Sequence, residues 1–224
     1  MALALFDLDN TLLAGDSDYL WGQFLVARGV VDADHYERTN QAFYDDYRAG
    51  RLDIDAFLRF ALAPLAAHPL QRLLAWRADF MREAIEPIVT GAALALIEQH
   101  RSQGDDLVII TATNRFVTEP IAARFGIQQL IATEPEFDGE RYTGRVAGRP
   151  AFANGKVERL DDWLAERAKS LTGSTFYSDS INDLPLLERV DHPVATNPDA
   201  RLAAVAAQRG WPVLNLHDST IHTR

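Results

Sequence analysis

Phe6-Asp7-Leu8-Asp9-Asn10-Thr11-Leu12 closes an apolar run that begins at Ala2. A run of that length reads as a buried strand, and two aspartates one residue apart place carboxylates at its C-terminal tip. Ligands bind at that edge of an open α/β sheet. Two carboxylates held there repel each other and lose hydration, a cost that a cation offsets. Alone, the stretch is equally a strand end followed by an Asp-rich turn. The decision rests on what the remaining sequence brings to the same edge.

Beyond this stretch the patterning changes twice. From Asp16 to Glu86 it is helical, with Tyr19, Leu20, Phe24 and Ala27 recurring at helical spacing, as do Phe57, Leu58, Ala61, Leu62 and Leu65. About four helices are expected here, an insertion that leaves the sheet and returns to it. From Pro87 onward strands and helices alternate. The expected strands are Leu107–Thr111, Gln129–Ala132, Ser174–Ser178, Pro193–Ala195 and Pro212–Leu216. Helices are expected over Gly91–Gln103, Arg115–Phe125, Asn154–Lys169, Asp183–Arg189 and Ala200–Gln208, with an Asp-Gly hairpin at Phe137–Tyr142. Such alternation predicts an α/β fold, a doubly wound parallel sheet with a helical segment inserted after the first strand. The polar tail from His217 to Arg224 is expected to fray.

Composition narrows the function classes. The chain has 224 residues, 47% hydrophobic and 24% charged, enough for one sizeable core with a small accessory domain. No apolar run approaches the ~18 residues of a membrane span, and the apolar opening lacks the basic flank of a signal peptide. With no cysteine, disulfides and thiolate metal sites are excluded, which fits a cytoplasmic protein. A net charge of −10 without a basic stripe argues against nucleic acid as a partner. Twenty arginines stand against only two lysines, Lys156 and Lys169. A lysine in such a chain reads either as a place where a compact point charge is wanted or as a leftover of plain compositional bias.

Polar groups fall at the ends of separate elements. Asp7 and Asp9 follow the first strand, Thr111 ends the Leu107–Ile110 run, Lys156 lies in the first turn of a helix, and Asp179 and Asp183 follow Tyr177-Ser178. A parallel sheet gathers all strand tips on one edge, so these groups converge. The chemistry they support is phosphoryl transfer. Mg²⁺ takes one or two carboxylates plus phosphate oxygens, with Asp7 and Asp179 the natural pair. One carboxylate attacks phosphorus and a second exchanges a proton with the leaving alcohol and with water. Thr111, Lys156 and the amides of a helix start stabilise the remaining oxygens.

These residues resemble the motifs of the haloacid dehalogenase superfamily of phosphatases: Asp7-x-Asp9-x-Thr11, Thr111 after an apolar strand, Lys156, and Asp179-x-x-x-Asp183. The helical insertion directly after the first motif resembles the cap of the phosphoserine phosphatase-like subgroup. The strings Phe6–Leu13 and Ile110–Thr118 are similar to a bacterial branch that includes histidinol-phosphate phosphatases. The resemblance implies a core of residues 1–15 and 87–224 and a cap of residues 16–86. It implies Asp7 as nucleophile and metal ligand, and Asp9 as acid/base that lends its carbonyl to the metal. Thr111 and Lys156 would hold the phosphoryl group, Asp179 would ligate Mg²⁺, and Asp183 would order a metal-bound water or Lys156. The presence of Asp9 argues against dehalogenation.

The insertion carries twelve acidic and eight basic residues. Asp16 and Asp18 follow the first motif, where a carboxylate can pair with a cationic substrate group, although Asp16-Ser17-Asp18 is also an ordinary helix start. Tyr19, Trp21, Phe43, Tyr44 and Tyr47 offer either an aromatic wall or helix packing. Asn114 and Arg115 are placed to contact substrate. The expected partner is a small phosphorylated metabolite with a cationic group, led by histidinol phosphate of histidine biosynthesis, with phosphoserine behind it. Alternatives are a phosphotransferase using the same aspartyl-phosphate and a catalytically silent phosphate-binding module. Monomer and homodimer are both compatible with the sequence.

Overall fold

The computed structural model describes residues 2–217. β1 (Leu3–Phe6) is buried along its length. Its side chains alternate between faces, Ala4 and Phe6 joining one apolar cluster and Leu3 and Leu5 the other. The chain then turns through Asn10, whose left-handed backbone (φ 56°) an asparagine tolerates, and leaves the sheet. α1 (Ser17–Ala27), α2 (Ala33–Ala49), α3 (Ile54–Ala67) and α4 (Leu70–Phe80) follow. Aspartates start three of them: Asp16, Asp32 and Asp53 each accept hydrogen bonds from backbone N–H groups of the first turn.

From α5 (Gly91–Gln103) the chain alternates. β2 (Asp106–Asn114), α6 (Arg115–Arg124) and β3 (Gln129–Thr133) precede an antiparallel hairpin of β4 (Pro135–Phe137) and β5 (Tyr142–Val146). Then come α7 (Asn154–Arg167), β6 (Thr175–Ser178), α8 (Leu184–Leu187), β7 (His192–Thr196), α9 (Ala200–Arg209) and β8 (Val213–Leu214). Six strands form one parallel sheet in the order β3-β2-β1-β6-β7-β8. The chain winds outward in one direction from β1 through β2 and β3, and in the other through β6, β7 and β8. β1 and β6 therefore flank the point where strand order reverses, where α/β sheets bind ligands.

α5 and α6 cover the face of Ala4 and Phe6; α7, α8 and α9 cover the other. α1, α3 and α4 join the first of these clusters, while α2 packs Tyr36 and Phe43 on Phe60 of α3, at 4.4 and 5.5 Å between ring centroids. Trp21 of α1 meets Phe80 of α4 at 5.1 Å and Phe116 of α6 at 5.8 Å between ring centroids. The β4–β5 hairpin stands apart from the sheet and packs on α3, where a Cβ at Gly144 would lie 3.2 Å from Ala66 Cβ.

The doubly wound parallel sheet and the four inserted helices follow the sequence reading closely. β2 runs three residues past its expected end at Thr111, and between the pairs Ile110–Ile131 and Asn114–Thr133 three β2 residues face one of β3. Thr111 lies in this irregular stretch, and such a bulge re-aims side chains at a sheet edge. The helix expected over Asp183–Arg189 is a single α-turn, with Pro185 in its first turn. β8 is reduced to two residues. Of the tail expected to fray, residues 218–224 lie outside the described residues. Among the described residues, no helix is long and apolar enough to cross a membrane.

Candidate active site

Register places the acidic groups. Phe6 is the last β1 residue paired with both β2 and β6, opposite Ile109 and Tyr177, so Asp7 is the first residue past the paired strand. Its N–H still reaches Tyr177 O at 2.9 Å, which fixes it beside the end of β6. Asp179 follows Ser178, the last residue of β6. Both aspartates are buried, 4% and 7% exposed, and converge on one hydroxyl: Thr11 Oγ1 donates toward Asp7 Oδ2 (3.4 Å) and Asp179 Oδ1 (3.3 Å) while accepting from Asp179 N (3.0 Å).

Lys156 enters from the first turn of α7. Its Nζ lies 2.7 Å from Asp7 Oδ1 and 2.7 Å from Asp183 Oδ2, and Ser178 Oγ donates to that same Asp183 oxygen at 2.7 Å. Burial works against the ammonium, but Asp183 and Asp7 outweigh it and hold the lysine charged, its pKa raised. Two backbone features deliver it. Ala153 sits at φ 48°, ψ −120°, and a Cβ on Gly155 would meet Pro150 O at 2.1 Å, so only glycine admits this close approach.

The carboxylates outnumber the positive charge. Burial pushes Asp7 up to about 7, with Lys156 pulling back and Asp183 adding to the rise. Asp179 is pushed well above the ordinary range, first by burial and then by Asp7 and Asp183. Lys156 is bonded to Asp7 and Asp183, which leaves Asp179 short of a cation. A hard divalent ion fits that deficit, with oxygen donors from Asp7 and Asp179. Among the described residues no group of three or more Asp, Glu, His or Cys side chains forms a metal cage. An ion that keeps water and phosphate oxygens in its shell needs none.

Asp9 faces the same pocket. Burial raises it to about 6, aided by Asp16, while hydrogen bonds from Ser17 and Thr113 oppose the rise. Thr111 is buried, and its Oγ1 accepts from Thr113 N at 3.2 Å, which leaves its own proton to donate into the pocket. Asp16 Oδ1 accepts from Asp18 N and Tyr19 N, capping α1 and leaving Oδ2 for the pocket that it lines. Asp18 lines it too, its carboxyl pushed well up by burial and then by Asp16 and Asp9.

Asp7, Asp9, Asp16, Thr111, Lys156 and Asp183 thus meet in one pocket between the strand tips and the inserted helices. Asn114, expected at the substrate, does not line it. Its Oδ1 caps α6 by accepting from Val117 N, and its Nδ2 points to Asp18 Oδ1 at 3.4 Å. An asparagine immediately before a helix start is a capping signal, and that signal is what the position expresses. Arg115 is drawn away by Glu134, at 2.8 Å. Of the proposed aromatic wall, Tyr19, Phe43, Tyr44 and Tyr47 line the pocket, whereas Trp21 is buried in the shared core.

Asn197 carries no clear mark in the sequence, whereas Tyr47 is marked there only for the aromatic wall. Asn197, itself left-handed at φ 47°, donates from Nδ2 to Asn10 O and Thr11 O and braces the turn that carries Asp9. Tyr47, at the end of α2, lies close enough to Asp179, Asp7 and Asp183 that burial and these charges together push its phenol well up. Its carbonyl accepts from Asn182 Nδ2 at 3.2 Å, joining the insertion to the loop after β6. Only the DxDxT spacing could have singled out Thr11.

Comparison with known proteins adds four likenesses. A family model described as haloacid dehalogenase-like hydrolase matches residues 4–188. The chain is 48% identical over 217 residues to a histidinol-phosphatase of Neisseria meningitidis, covering 95% of this chain and 98% of that protein. It is 32% identical over 215 residues to a phosphoserine phosphatase of Mycobacterium tuberculosis, covering 95% and 70% respectively. Among solved structures, a protein of unknown function from Bordetella pertussis superposes with a TM-score of 0.91 at 46% identity, covering 96% of this chain and 98% of that one.

Proposed function

The chain belongs to the haloacid dehalogenase-like hydrolase family, and from that premise we propose that it is a Mg²⁺-dependent phosphomonoesterase whose substrate is histidinol phosphate. The observation that carries the chemistry is the pairing of Asp7 with Asp179 at the strand-order reversal, with Lys156 bonded to only one of the two. The substrate reading is supported by the 48% identity to a histidinol-phosphatase and by the carboxylates of Asp16 and Asp18 in the pocket.

Asp7, Asp179 and the Asp9 carbonyl would hold Mg²⁺, which when bound neutralises phosphate charge and the repulsion between the two carboxylates. Asp7 attacks phosphorus: its oxygen–phosphorus bond forms as the ester oxygen–phosphorus bond breaks, giving an aspartyl-phosphate. Asp9 gives a proton to the departing alkoxide, then takes one from the water that releases phosphate from Asp7. Thr111 donates its hydroxyl to an equatorial phosphoryl oxygen, and the Lys156 ammonium faces the charge that develops there. Asp183 keeps Lys156 aimed at Asp7. Residues 16–86 act as a cap that excludes water from the core of residues 1–15 and 87–224, and Asp16 Oδ2 receives the cationic end of the substrate.

The test is phosphate release from histidinol phosphate, phosphoserine, phosphoethanolamine and sugar phosphates, with Mg²⁺ and with chelator. Chelator-sensitive turnover led by histidinol phosphate, and its loss in Asp7→Asn, is the expected result. Preference for sugar phosphates would overturn the substrate, and absence of Mg²⁺-dependent release would overturn the reaction. Diversion of phosphate to an added alcohol would mark a phosphotransferase.

A further inference from the structure

Both carboxylate oxygens of Asp9 are held, and by donors of different kinds. Oδ1 accepts from the backbone N–H of Ser17 at 2.6 Å; Oδ2 accepts from the Thr113 hydroxyl at 2.8 Å. A backbone N–H can only donate, so Oδ1 is an acceptor whether or not Asp9 carries a proton. A hydroxyl both donates and accepts. Oδ2 is therefore the oxygen on which a proton can reside, with the Thr113 hydroxyl beside it.

Thr113 is itself fixed. It is 7% exposed, lies on β2 past the bulge, and its backbone N–H donates to Thr111 Oγ1 at 3.2 Å. It also lines the pocket. One residue thus ties the group that would receive phosphate oxygens to the group that would move the proton.

We propose that Thr113 is a positioning residue whose hydroxyl, donating to Oδ2 of Asp9, leaves the other lone pair of that oxygen facing the leaving group. This rests on the reading of Asp9 as acid and base. When the ester bond breaks, its electron pair stays on the alkoxide oxygen, and the proton that Oδ2 holds toward the leaving group passes to it. Water attack on the aspartyl-phosphate returns a proton to Oδ2, and the Thr113 hydroxyl keeps that oxygen in place through both steps.

A leaving group that needs no proton separates this role from a purely structural one. kcat/KM is measured with Mg²⁺ for histidinol phosphate, whose alkoxide must be protonated, and for p-nitrophenyl phosphate, whose phenolate leaves unaided. Wild type, Thr113→Val, Thr113→Ser and Asp9→Asn are compared. The alkyl-to-aryl ratio is expected to fall roughly tenfold or more in Thr113→Val, part of the full contribution of a general acid. It is expected to return to near wild type in Thr113→Ser and to fall furthest in Asp9→Asn. A wild-type ratio in Thr113→Val beside a lowered one in Asp9→Asn would overturn the role of Thr113 alone. An unchanged ratio in Asp9→Asn would overturn the reading of Asp9 and the proposal with it.

Discussion

At the scale of single residues, the pocket is a problem of charge. Asp7, Asp9, Asp16, Asp18 and Asp183 line it with Lys156 as its one cationic side chain among the described residues. With phosphate and a divalent ion roughly cancelling one another, the proposed function gives Asp16 and Asp18 a cationic group of the substrate to face. Among the described residues, the Asp18 carboxylate has one side-chain donor, the distant Nδ2 of Asn114. Asp18→Asn keeps its shape and removes its charge. The expected outcome is a fall of about tenfold in kcat/KM for histidinol phosphate relative to glycerol phosphate, as for loss of one charge-assisted contact. A steady-state comparison of the two esters checks it, and an unchanged ratio would remove Asp18 from recognition. At this scale the sequence spoke clearly where a residue's neighbours are its chain neighbours. Asp7, Asp9 and Thr11 share one turn, and their spacing alone brought them together. Asn114 misled because its position after Thr111 is equally that of a helix cap, and capping is a local demand that needs no ligand.

At the scale of elements, strain and close approach deliver side chains. The start of α7 combines a left-handed Ala153 with the contact between Gly155 and Pro150 O. Gly155→Ala must move one backbone segment away from the other, and Lys156 moves with it. A loss of about 1–3 kcal/mol is expected, read as a lower denaturant midpoint, together with reduced turnover. A second network ties α5 to the sheet: His100 bridges Asp105 Oδ2 and the Tyr177 hydroxyl, each at 2.8 Å, while Asp105 Oδ1 accepts from Ala2 N at 3.2 Å. The His100 hydrogen bond, helped by Ala2 N–H, holds the Asp105 carboxyl below its ordinary 3.8. A depressed carboxylate stabilises the fold above its unfolded pKa, and that stability is lost as pH falls through the folded value. Asp105→Asn should therefore cost about 1–2 kcal/mol at pH 7 and nothing well below pH 3.8, a difference that denaturation at the two pH values measures. Neither feature was readable in advance. The elements themselves were, because periodicity encodes which face is buried, but Pro150 meets Gly155 and His100 meets Tyr177 only after the chain has folded. The irregularity between Ile110 and Asn114 escaped for the same reason: it depends on β3 supplying one residue against three.

At the scale of the molecule, the inserted helices and the sheet are one packing unit. Trp21, Phe24 and Phe80 from the insertion lie in the same cluster as Phe6 and Phe116. Trp21→Ala is expected to cost about 3–5 kcal/mol and to shift one cooperative transition seen equally by fluorescence and far-ultraviolet circular dichroism. Two separated transitions would show that the helices unfold on their own. A movement of the insertion would then fall to α2, whose Phe43, Tyr44 and Tyr47 face the pocket, rather than to α1, α3 and α4 in the shared core. The scarcity of lysine has a practical side as well. Lys156 is 4% exposed between two carboxylates, and Lys169, 31% exposed, pairs with Asp106. An amine-acylating reagent therefore meets one accessible lysine on the folded protein. Mass spectrometry of the modified peptides turns Lys156 into a built-in gauge of pocket opening, silent while the site is closed and labelled at the rate at which it breathes.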